Sequence, residues 1–398
     1  MNDAAGAAAG QGTDAAKADA TATQPVLFDT LRTASGHAFG RATLNAPPTL
    51  NALSLPMIDL LAPQLAAWAA DPAIAGVVLD AVGDRAFCSG GDVIALYQAT
   101  RALRADRASA PGAVPPEAAA FFEREYRLDH AIHTYAKPLL AWGHGIVMGG
   151  GMGLMVGASH RVVTPPSRLA MPEITIGLFP DVGGSWFLPR LPGRAGLFVA
   201  LTGTHLNAAD ACFAGLADHL LPHAAHAAVL QDIAAERWDG SRRADAARLT
   251  QLLRRHATAD APASPLHAHM ARIDDLIAFD PLQAVAPRLA ALLGDADTWL
   301  ARAAEGFVNG SPTSVALACE LQRRARNASL ADVFRLEYQA ALGCCAHHDF
   351  IEGIRALLVD KDRKPHWDPA TLDEVAPAWI EAHLAPRHAG AHPLADLH

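Results

Sequence analysis

Hydrophobic and polar positions alternate along this chain with two periods, one typical of strands and one typical of helices. Residues 26 to 45 contain two strand-like runs around Ser35-Gly36, which predict a β-hairpin. Further strands are predicted at 76–83, in the run LLAWGHGIV and at 161–164, and helices at 51–70, 92–102, 116–133, 194–202 and 207–214. Strands that alternate with helices in this way indicate an α/β fold with right-handed crossovers.

The pattern changes after about Pro222, where strand signals end and Ala, Leu, Arg, Asp and His dominate. Helical spacing continues to residue 358, and the last section, from 359 onward, mixes Pro, Trp and His and is expected to pack loosely. The predicted division is a disordered Ala/Gly-rich tail, an α/β domain and a mainly helical region, at 1–25, 26–225 and 226–398. The helical region is expected to serve as scaffold and as surface for contacts between copies, so a homo-oligomer is one expected state.

Composition restricts the classes of partner. The 398 residues are 51% hydrophobic and 18% charged, with a formal charge of −9, which is typical of a globular protein. No Lys/Arg cluster is interleaved with aromatic residues, so nucleic acid is not an expected partner. The most apolar stretch, Leu139–Ala158, contains seven glycines and a histidine, which favours a buried strand, turn and helix over a membrane span.

Cysteine usage indicates a reducing compartment. The five cysteines are odd in number and form no CxxC pair, so neither a disulfide framework nor a thiolate metal site is predicted. The paired histidines His347 and His348 have no suitably spaced partner, and no metal is expected. The first 25 residues lack a basic segment followed by an apolar one, so no secretory signal is predicted. These observations together predict a cytoplasmic location.

The stretch from Gly149 to Asp181 carries the strongest chemical signal. Three consecutive glycines follow an apolar run, a pattern that suits a strand, a sharp turn and a helix N-terminus. The free N–H groups of such a turn can hold an oxyanion. Glu173 and Asp181 follow in the short segments MPE and FPD, where a proline stiffens the backbone beside each acid. An oxyanion site with two carboxylates indicates acyl or enolate chemistry.

These motifs resemble the crotonase superfamily, also called the enoyl-CoA hydratase/isomerase family. The resemblance covers roughly residues 25 to 375 and lies in five ordered segments: LNAPPTLNALSLPM, RAFCSGGDV, HGIVMGGGMGL, MPEITIGLFPDVGGSWFLPRL and ALTG. It implies an α/β fold built as a crotonase-like spiral of ββα units, here followed by a helical C-terminal region. The domain at 26–225 would then bind acyl-CoA and carry the catalytic residues.

Within that superfamily the chain is most similar to the 3-hydroxyisobutyryl-CoA hydrolases. The segments that carry this finer likeness are GLFPDVG, FFEREY, NGSPTS and the run that begins EYQAALGCC. The likeness implies hydrolysis of a short β-hydroxyacyl-CoA thioester, 3-hydroxyisobutyryl-CoA in valine breakdown. It implies no cofactor, because coenzyme A is part of the substrate.

The resemblance also implies roles for individual residues. Backbone N–H groups of Gly91 and Gly150 would hold the thioester oxygen, and Glu173 would act either as a nucleophile or as the base that activates water. Asp181 would orient the acyl hydroxyl or assist proton transfer, and Glu125 would contact the substrate. Hydratases of the superfamily carry a first catalytic glutamate in a GGGxE pattern, and here Gly153 occupies that position.

Alternative interpretations exist for the protein and for single residues. The chain could be an enoyl-CoA hydratase or isomerase with a single glutamate, or a non-catalytic acyl-CoA-binding protein. Glu125 could be a solvated charge on a helix face, whereas Cys88 and His144 are expected to be packing residues. No GxSxG segment is present, which argues against a serine thioesterase.

Overall fold

The computed structural model describes residues 24 to 398 except positions 107, 109, 111 and 279. The predicted disordered tail therefore lies outside the described residues, apart from its last two positions. The strands are β1 Val26–Arg32, β2 Ala38–Leu44, β3 Ile74–Ala81, β4 Ala86–Cys88, β5 Leu139–Gly143, β6 Ile146–Met148, β7 His160–Val163, β8 Arg168–Ala170, β9 Leu206–Asn207 and β10 His219–Leu220.

Seventeen α-helices are found in this described part of the chain. They are α1 Leu55–Ala70, α2 Val93–Ala105, α3 Pro116–His133, α4 Gly150–Val156, α5 Gly184–Phe187, α6 Ala195–Thr202, α7 Ala208–Phe213, α8 His226–Ala235, α9 Arg242–Arg255, α10 Pro265–Ala268, α11 Met270–Ile277, α12 Leu282–Ala291, α13 Thr298–Asn309, α14 Pro312–Ala325, α15 Leu330–Ala346, α16 His348–Ile354 and α17 Pro377–Leu384. A π-helix, Arg355–Val359, follows α16, and a 3-10 helix, Glu173–Ile176, lies near the candidate site.

Two mostly parallel sheets form the centre of the fold. The larger has the strand order β1-β2-β3-β5-β7-β10, with an antiparallel pair at one end, where Val26 pairs with Leu44. The smaller has the order β4-β6-β8-β9, and only β9 runs antiparallel to its neighbour. The predicted hairpin and the predicted α/β class are both confirmed.

The run LLAWGHGIV forms two strands rather than one. Its first half is β5 in the larger sheet and its second half is β6 in the smaller sheet. Gly145 makes the change of direction with φ +59, and a Cβ there would lie 2.3 Å from the carbonyl oxygen of Arg85. Only glycine fits a turn with this backbone angle and so little space, and the turn carries the chain from one sheet to the other.

Both faces of the larger sheet are covered, which explains the continuous apolar run of β3. Val77 and Leu79 face the main core, whereas Val78 faces a second cluster with Trp142 and Trp238. Helices α8 and α9 contribute Val229, Ile233, Leu249, Leu252 and Leu253 to that second cluster, so the first helices after residue 226 pack directly on the sheet.

The last section of the chain is attached to the core at a few positions near its end. Leu384 and Leu394 are buried, and Gly343 of α15 lies so close to α17 that a Cβ would be 2.1 Å from the carbonyl oxygen of His383. Residues 359 to 379 are exposed or half-buried throughout, which agrees with the expectation of loose packing, and a few apolar residues after them attach the end of the chain to the core.

Candidate active site

The first glycine turn of the candidate site follows β4 and carries Gly91. The segment around Leu53 holds it in place: the Leu53 N–H donates to the Gly90 carbonyl at 2.8 Å, and the Asp92 N–H donates to the Leu53 carbonyl at 2.9 Å. The buried side chain of Asn51 donates to the Ala86 carbonyl at 2.9 Å. The conformation of the Gly91 turn is therefore set by backbone pairing with the preceding motif.

The second glycine turn faces the first. Gly149 has φ 48 and ψ −122, and α4 begins at Gly150. A Cβ on Gly150 would lie 3.2 Å from the Gly91 nitrogen and 2.6 Å from Oε1 of Glu125. The two predicted oxyanion glycines are thus neighbours in space, although 58 positions separate them in sequence.

Glu173 opens the 3-10 helix Glu173–Ile176 and points toward the second turn. Its Oε1 lies 3.0 Å from the position of a Cβ on Gly149. The residue is 4% exposed, and its Oε2 has no hydrogen-bond partner among the described residues. Burial raises the pKa of Glu173 well above its usual range, and the nearby carboxylates of Asp181 and Glu337 raise it further.

Asp181 is buried near Glu173 and has one defined partner. The Tyr126 hydroxyl donates a hydrogen bond to Oδ2 of Asp181 at 2.8 Å. Burial outweighs that hydrogen bond and raises the pKa of Asp181 to about 7. The next residue, Val182, has φ 51, which is a strained angle for a β-branched side chain. The turn that carries Asp181 is therefore held in a costly conformation by its surroundings.

Glu337 of α15 is the anchor of that turn. Its two carboxylate oxygens accept hydrogen bonds from the Gly183 and Ser185 N–H groups, each at 2.8 Å. Glu337 is fully buried, and burial together with the charge of Asp181 raises its pKa to about 8. Sequence analysis missed this role, because nothing in the spacing of Glu337 connects it with a turn about 150 residues earlier.

Asp129 is a second residue that sequence analysis missed. It is fully buried, and neither of its carboxylate oxygens has a hydrogen-bond partner in the described part of the chain. A Cβ on Gly153 would lie 2.8 and 2.9 Å from these oxygens, and 2.7 Å from Cβ of Val182. Asp129 and Val182 thus fill the space that a side chain at position 153 would need.

Glu125 lies on the same face of α3 as Asp129, one turn earlier. It is 2% exposed, so the interpretation of Glu125 as a solvated charge is wrong. Burial raises the pKa of Glu125 well above its usual range, and the charges of Asp181, Asp129 and Glu173 raise it further. Helix α3 therefore presents two acids to the interior, a placement that its charged sequence does not suggest.

The candidate site is strongly acidic. Five buried carboxyl groups line it, those of Glu125, Asp129, Glu173, Asp181 and Glu337. Among the described residues, none of these groups forms an ion pair with a Lys, Arg or His within 4.0 Å. Like charges this close cannot all ionise, so the group shares protons and titrates as a unit. Such a site can hold and transfer protons near neutral pH.

Two other residues of the predicted motifs are packing residues. Cys88 is fully buried, and burial raises the pKa of its thiol to about 12, so the thiolate needed for nucleophilic attack does not form near neutral pH. His144 is also buried, with Nε2 at 2.6 Å from the Gly83 carbonyl oxygen. Both expectations of a structural role agree with these contacts.

A cavity of about 820 Å³ lies outside this acidic site. It lies between the core and α13, and Arg168, His205, Trp299 and Arg302 are among its lining residues. None of the five acids lines it. No group of three or more His, Cys, Asp or Glu side chains suited to a metal occurs in the described ranges. In the same ranges, no helix combines the length and apolarity needed to cross a membrane.

Comparison with known proteins places this fold and site in a family. The family model described as enoyl-CoA hydratase/isomerase matches residues 39–384. The chain belongs to the enoyl-CoA hydratase/isomerase family. The solved carnitinyl-CoA dehydratase of Mycobacterium thermoresistibile is 37% identical, with a TM-score of 0.77 over 92% of this chain and 97% of that one. The predicted crotonase-like fold with a helical C-terminal region is confirmed.

Curated members of the enoyl-CoA hydratase/isomerase family give a finer comparison. The mitochondrial 3-hydroxyisobutyryl-CoA hydrolase of Gallus gallus is 38% identical over 86% of this chain and 85% of its own length. The protein of the same name from Homo sapiens is 35% identical over 87% of this chain and 86% of its own length. The predicted likeness to these hydrolases is confirmed.

The same comparison corrects the predicted location. Both curated relatives are mitochondrial by name, so the prediction of a cytoplasmic location is wrong. That prediction depended on free cysteines, which are typical of reducing surroundings. Free thiols distinguish proteins of reducing compartments from proteins of oxidising ones. They do not distinguish one reducing compartment from another.

Proposed function

We propose that this protein hydrolyses a short β-hydroxyacyl-CoA thioester, most specifically 3-hydroxyisobutyryl-CoA, to 3-hydroxyisobutyrate and CoA. The names of the curated relatives support this substrate. No cofactor enters the proposed reaction beyond the CoA that the substrate carries.

The observation that carries the proposal is the filled space at Gly153. Addition of water to a double bond in this family uses a glutamate at that position, and the carboxylate of Asp129 and the side chain of Val182 occupy the space instead. The second acid of the site comes from Asp181, on a different segment. This exchange of one acid for another disfavours the hydratase and isomerase alternative. A protein that only binds acyl-CoA would have no need for the buried acids.

The two glycine turns suit the first step of hydrolysis. Gly91 and Gly150 lie side by side, so their N–H groups can both donate to one thioester oxygen. Charge develops on that oxygen when the carbonyl carbon becomes tetrahedral, and each donor typically stabilises it by a few kcal/mol. The surrounding residues are buried, which strengthens these hydrogen bonds by excluding water.

Glu173 is the residue placed to act on the carbonyl carbon. As a nucleophile it would form an anhydride and expel the CoA thiolate, and water would then cleave the anhydride. As a base it would take a proton from the water that attacks the thioester directly. Both routes need the carboxylate form of Glu173, and both end with the C–S bond broken and one C–O bond formed from water.

Asp181 is proposed to recognise the hydroxyl group of the substrate. An ionised carboxylate accepting a hydroxyl hydrogen bond contributes about 1.5–3 kcal/mol. Asp181→Ala is therefore expected to lower kcat/KM for 3-hydroxyisobutyryl-CoA roughly tenfold or more relative to isobutyryl-CoA, the same acyl group without the hydroxyl. Thiol release from both substrates measures the ratio. Equal losses on both would place Asp181 in the chemical step, and no loss on either would make it a structural acid.

The pH dependence gives a second readout of the same prediction. The pKa of Asp181 is raised to about 7, so its carboxylate forms as the pH rises through about 7. We expect kcat/KM for the hydroxylated substrate to rise across that range. Asp181→Asn keeps the size of the side chain and does not titrate, so it serves as the matched control and should lose this inflection.

A further inference from the structure

Helix α3 carries a line of three ionisable side chains on one face. Glu125, Asp129 and His133 are spaced four residues apart, which places them above one another along the helix. Glu125 lies at the oxyanion turns and Asp129 is fully buried, whereas His133 is partly exposed as a residue with its Nε2 atom buried. The line therefore runs from the candidate site toward the surface of the protein.

Three glycines, two in helix α4 and one that ends it, face this line. A Cβ on Gly150 would lie 2.6 Å from Oε1 of Glu125, and a Cβ on Gly153 would lie 2.8 Å from Oδ1 of Asp129. One turn later, a Cβ on Gly157 would lie 2.6 Å from Cδ2 of the His133 ring. Any larger residue at these glycines would displace one of the three ionisable groups.

Asp129 and His133 lack the partners that buried polar groups normally have. Both carboxylate oxygens of Asp129 and Nε2 of His133 form no hydrogen bond within the described residues. Buried polar atoms without a partner are uncommon and call for a functional explanation. A helix rises about 1.5 Å per residue, so the glycines that face successive groups are about 4.5 and 6 Å apart, spans that a bridging water can cover.

The proposed hydrolysis creates a need for such a line. Water supplies the oxygen of the new C–O bond, and the departing sulfur takes one of the two water protons. The product is a carboxylate at neutral pH, so the second proton must leave the site in every turnover. The catalytic acids are 2–4% exposed, and bulk water therefore has little direct access to them.

We propose that Asp129 receives the proton released in each hydrolytic turnover and passes it along α3 to His133 and the surface. This inference rests on the proposed function, because only hydrolysis releases a net proton. Asp129 acts here through the other acids and is a positioning and proton-transfer residue rather than a group that touches the substrate.

The charged and titratable surroundings agree with this role. Glu125, Asp181 and Glu337 face Asp129, and burial with the charges of the last two raises the pKa of Asp129 well above its usual range. The pKa of His133 is lowered to about 4, first by burial and then by the nearby side chains of His130 and Arg161. At neutral pH, Asp129 can therefore hold a proton, and His133 is an uncharged imidazole that accepts one at one nitrogen and releases it from the other.

The test uses the full chain with 3-hydroxyisobutyryl-CoA and three variants: Asp129→Asn, His133→Gln and the control Glu117→Gln, an exposed position in the first turn of α3. Thiol release gives kcat and KM in ordinary and in heavy water, with and without added imidazole. For the first two variants we expect kcat to fall tenfold or more, KM to change less than twofold, and the solvent isotope effect on kcat to increase. Imidazole should restore part of the lost rate, and the control should match the wild type.

Two results would overturn the relay. One is a kcat within twofold of the wild type in both variants. The other is a lower kcat with an unchanged isotope effect and no response to imidazole, which would make Asp129 a purely structural acid. If Asp129→Asn does not fold, His133→Gln decides by the same criteria. A wild-type protein that releases no thiol would refute the proposed function and the relay with it, whereas an active wild type with unaffected variants would refute the relay alone.

Discussion

Glu173→Gln is expected to lower kcat for thioester hydrolysis at least about 100-fold, the scale of a positioned acid–base group. Glutamine keeps the shape of the side chain and removes the anionic oxygen that either a nucleophile or a base needs. Oε1 of Glu173 lies 3.0 Å from the Cβ position of Gly149, so this group meets the turn where the thioester carbonyl is proposed to bind. Binding of the substrate should change much less than kcat, because glutamine fills the same space as glutamate and leaves both glycine turns unchanged.

The matched control is Glu305→Gln, the same substitution at an exposed residue that lines the separate cavity of about 820 Å³. It should leave kcat and KM as in the wild type. Thermal unfolding of both variants checks that the fold is retained. A Glu173→Gln variant with a near wild-type kcat would exclude Glu173 both as nucleophile and as base.

Gly150→Val is expected to abolish most turnover in a protein that stays folded. The added Cβ would lie 2.6 Å from Oε1 of Glu125 and 3.2 Å from the Gly91 nitrogen, so the side chain would fill the space between the two turns. Loss of one oxyanion donor costs about 10²–10³ in kcat, and blocked approach of the thioester should also weaken acyl-CoA binding. The effect is steric, because φ at Gly150 is outside the left-handed region.

Gly294→Val provides the control for that substitution. A Cβ on Gly294 would meet no atom within 4 Å, so valine there should leave both turnover and acyl-CoA binding unchanged. Steady-state kinetics with 3-hydroxyisobutyryl-CoA and equilibrium binding of a non-hydrolysable acyl-CoA analogue separate the two effects. Unchanged kinetics in Gly150→Val would remove Gly150 from the site.

Elements with a clear period and clear ends could be predicted from the sequence. The helix predicted at 116–133 is α3 with the same bounds, and the hairpin at 26–45 forms around the predicted turn. The run LLAWGHGIV was predicted as a single strand because its apolar residues are continuous. Hydrophobicity alone does not indicate that the chain turns at Gly145 and passes from one sheet to the other. That turn depends on the close approach of Gly145 to the backbone of Arg85.

In the candidate site, too, some residues could be predicted from the sequence and others could not. Glu173 and the two glycine turns belong to motifs whose residue types indicate oxyanion and acid–base chemistry. The structure brings these motifs together. Asp129 and Glu337 are buried acids on helices that also carry exposed charged residues, so their burial could not be inferred from composition or spacing. Their places depend on tertiary packing: α4 presents Gly153 to Asp129, and the turn after Asp181 needs acceptors for its N–H groups.

The measurement that tests the central claim most directly follows two signals from one preparation of the wild-type protein. Free thiol is recorded with 3-hydroxyisobutyryl-CoA, and loss of the enoyl absorbance is recorded with crotonyl-CoA. The filled space at Gly153 predicts rapid thiol release from the first substrate and, at most, slow hydration of the second. Rapid hydration of crotonyl-CoA without thiol release from 3-hydroxyisobutyryl-CoA would contradict the account.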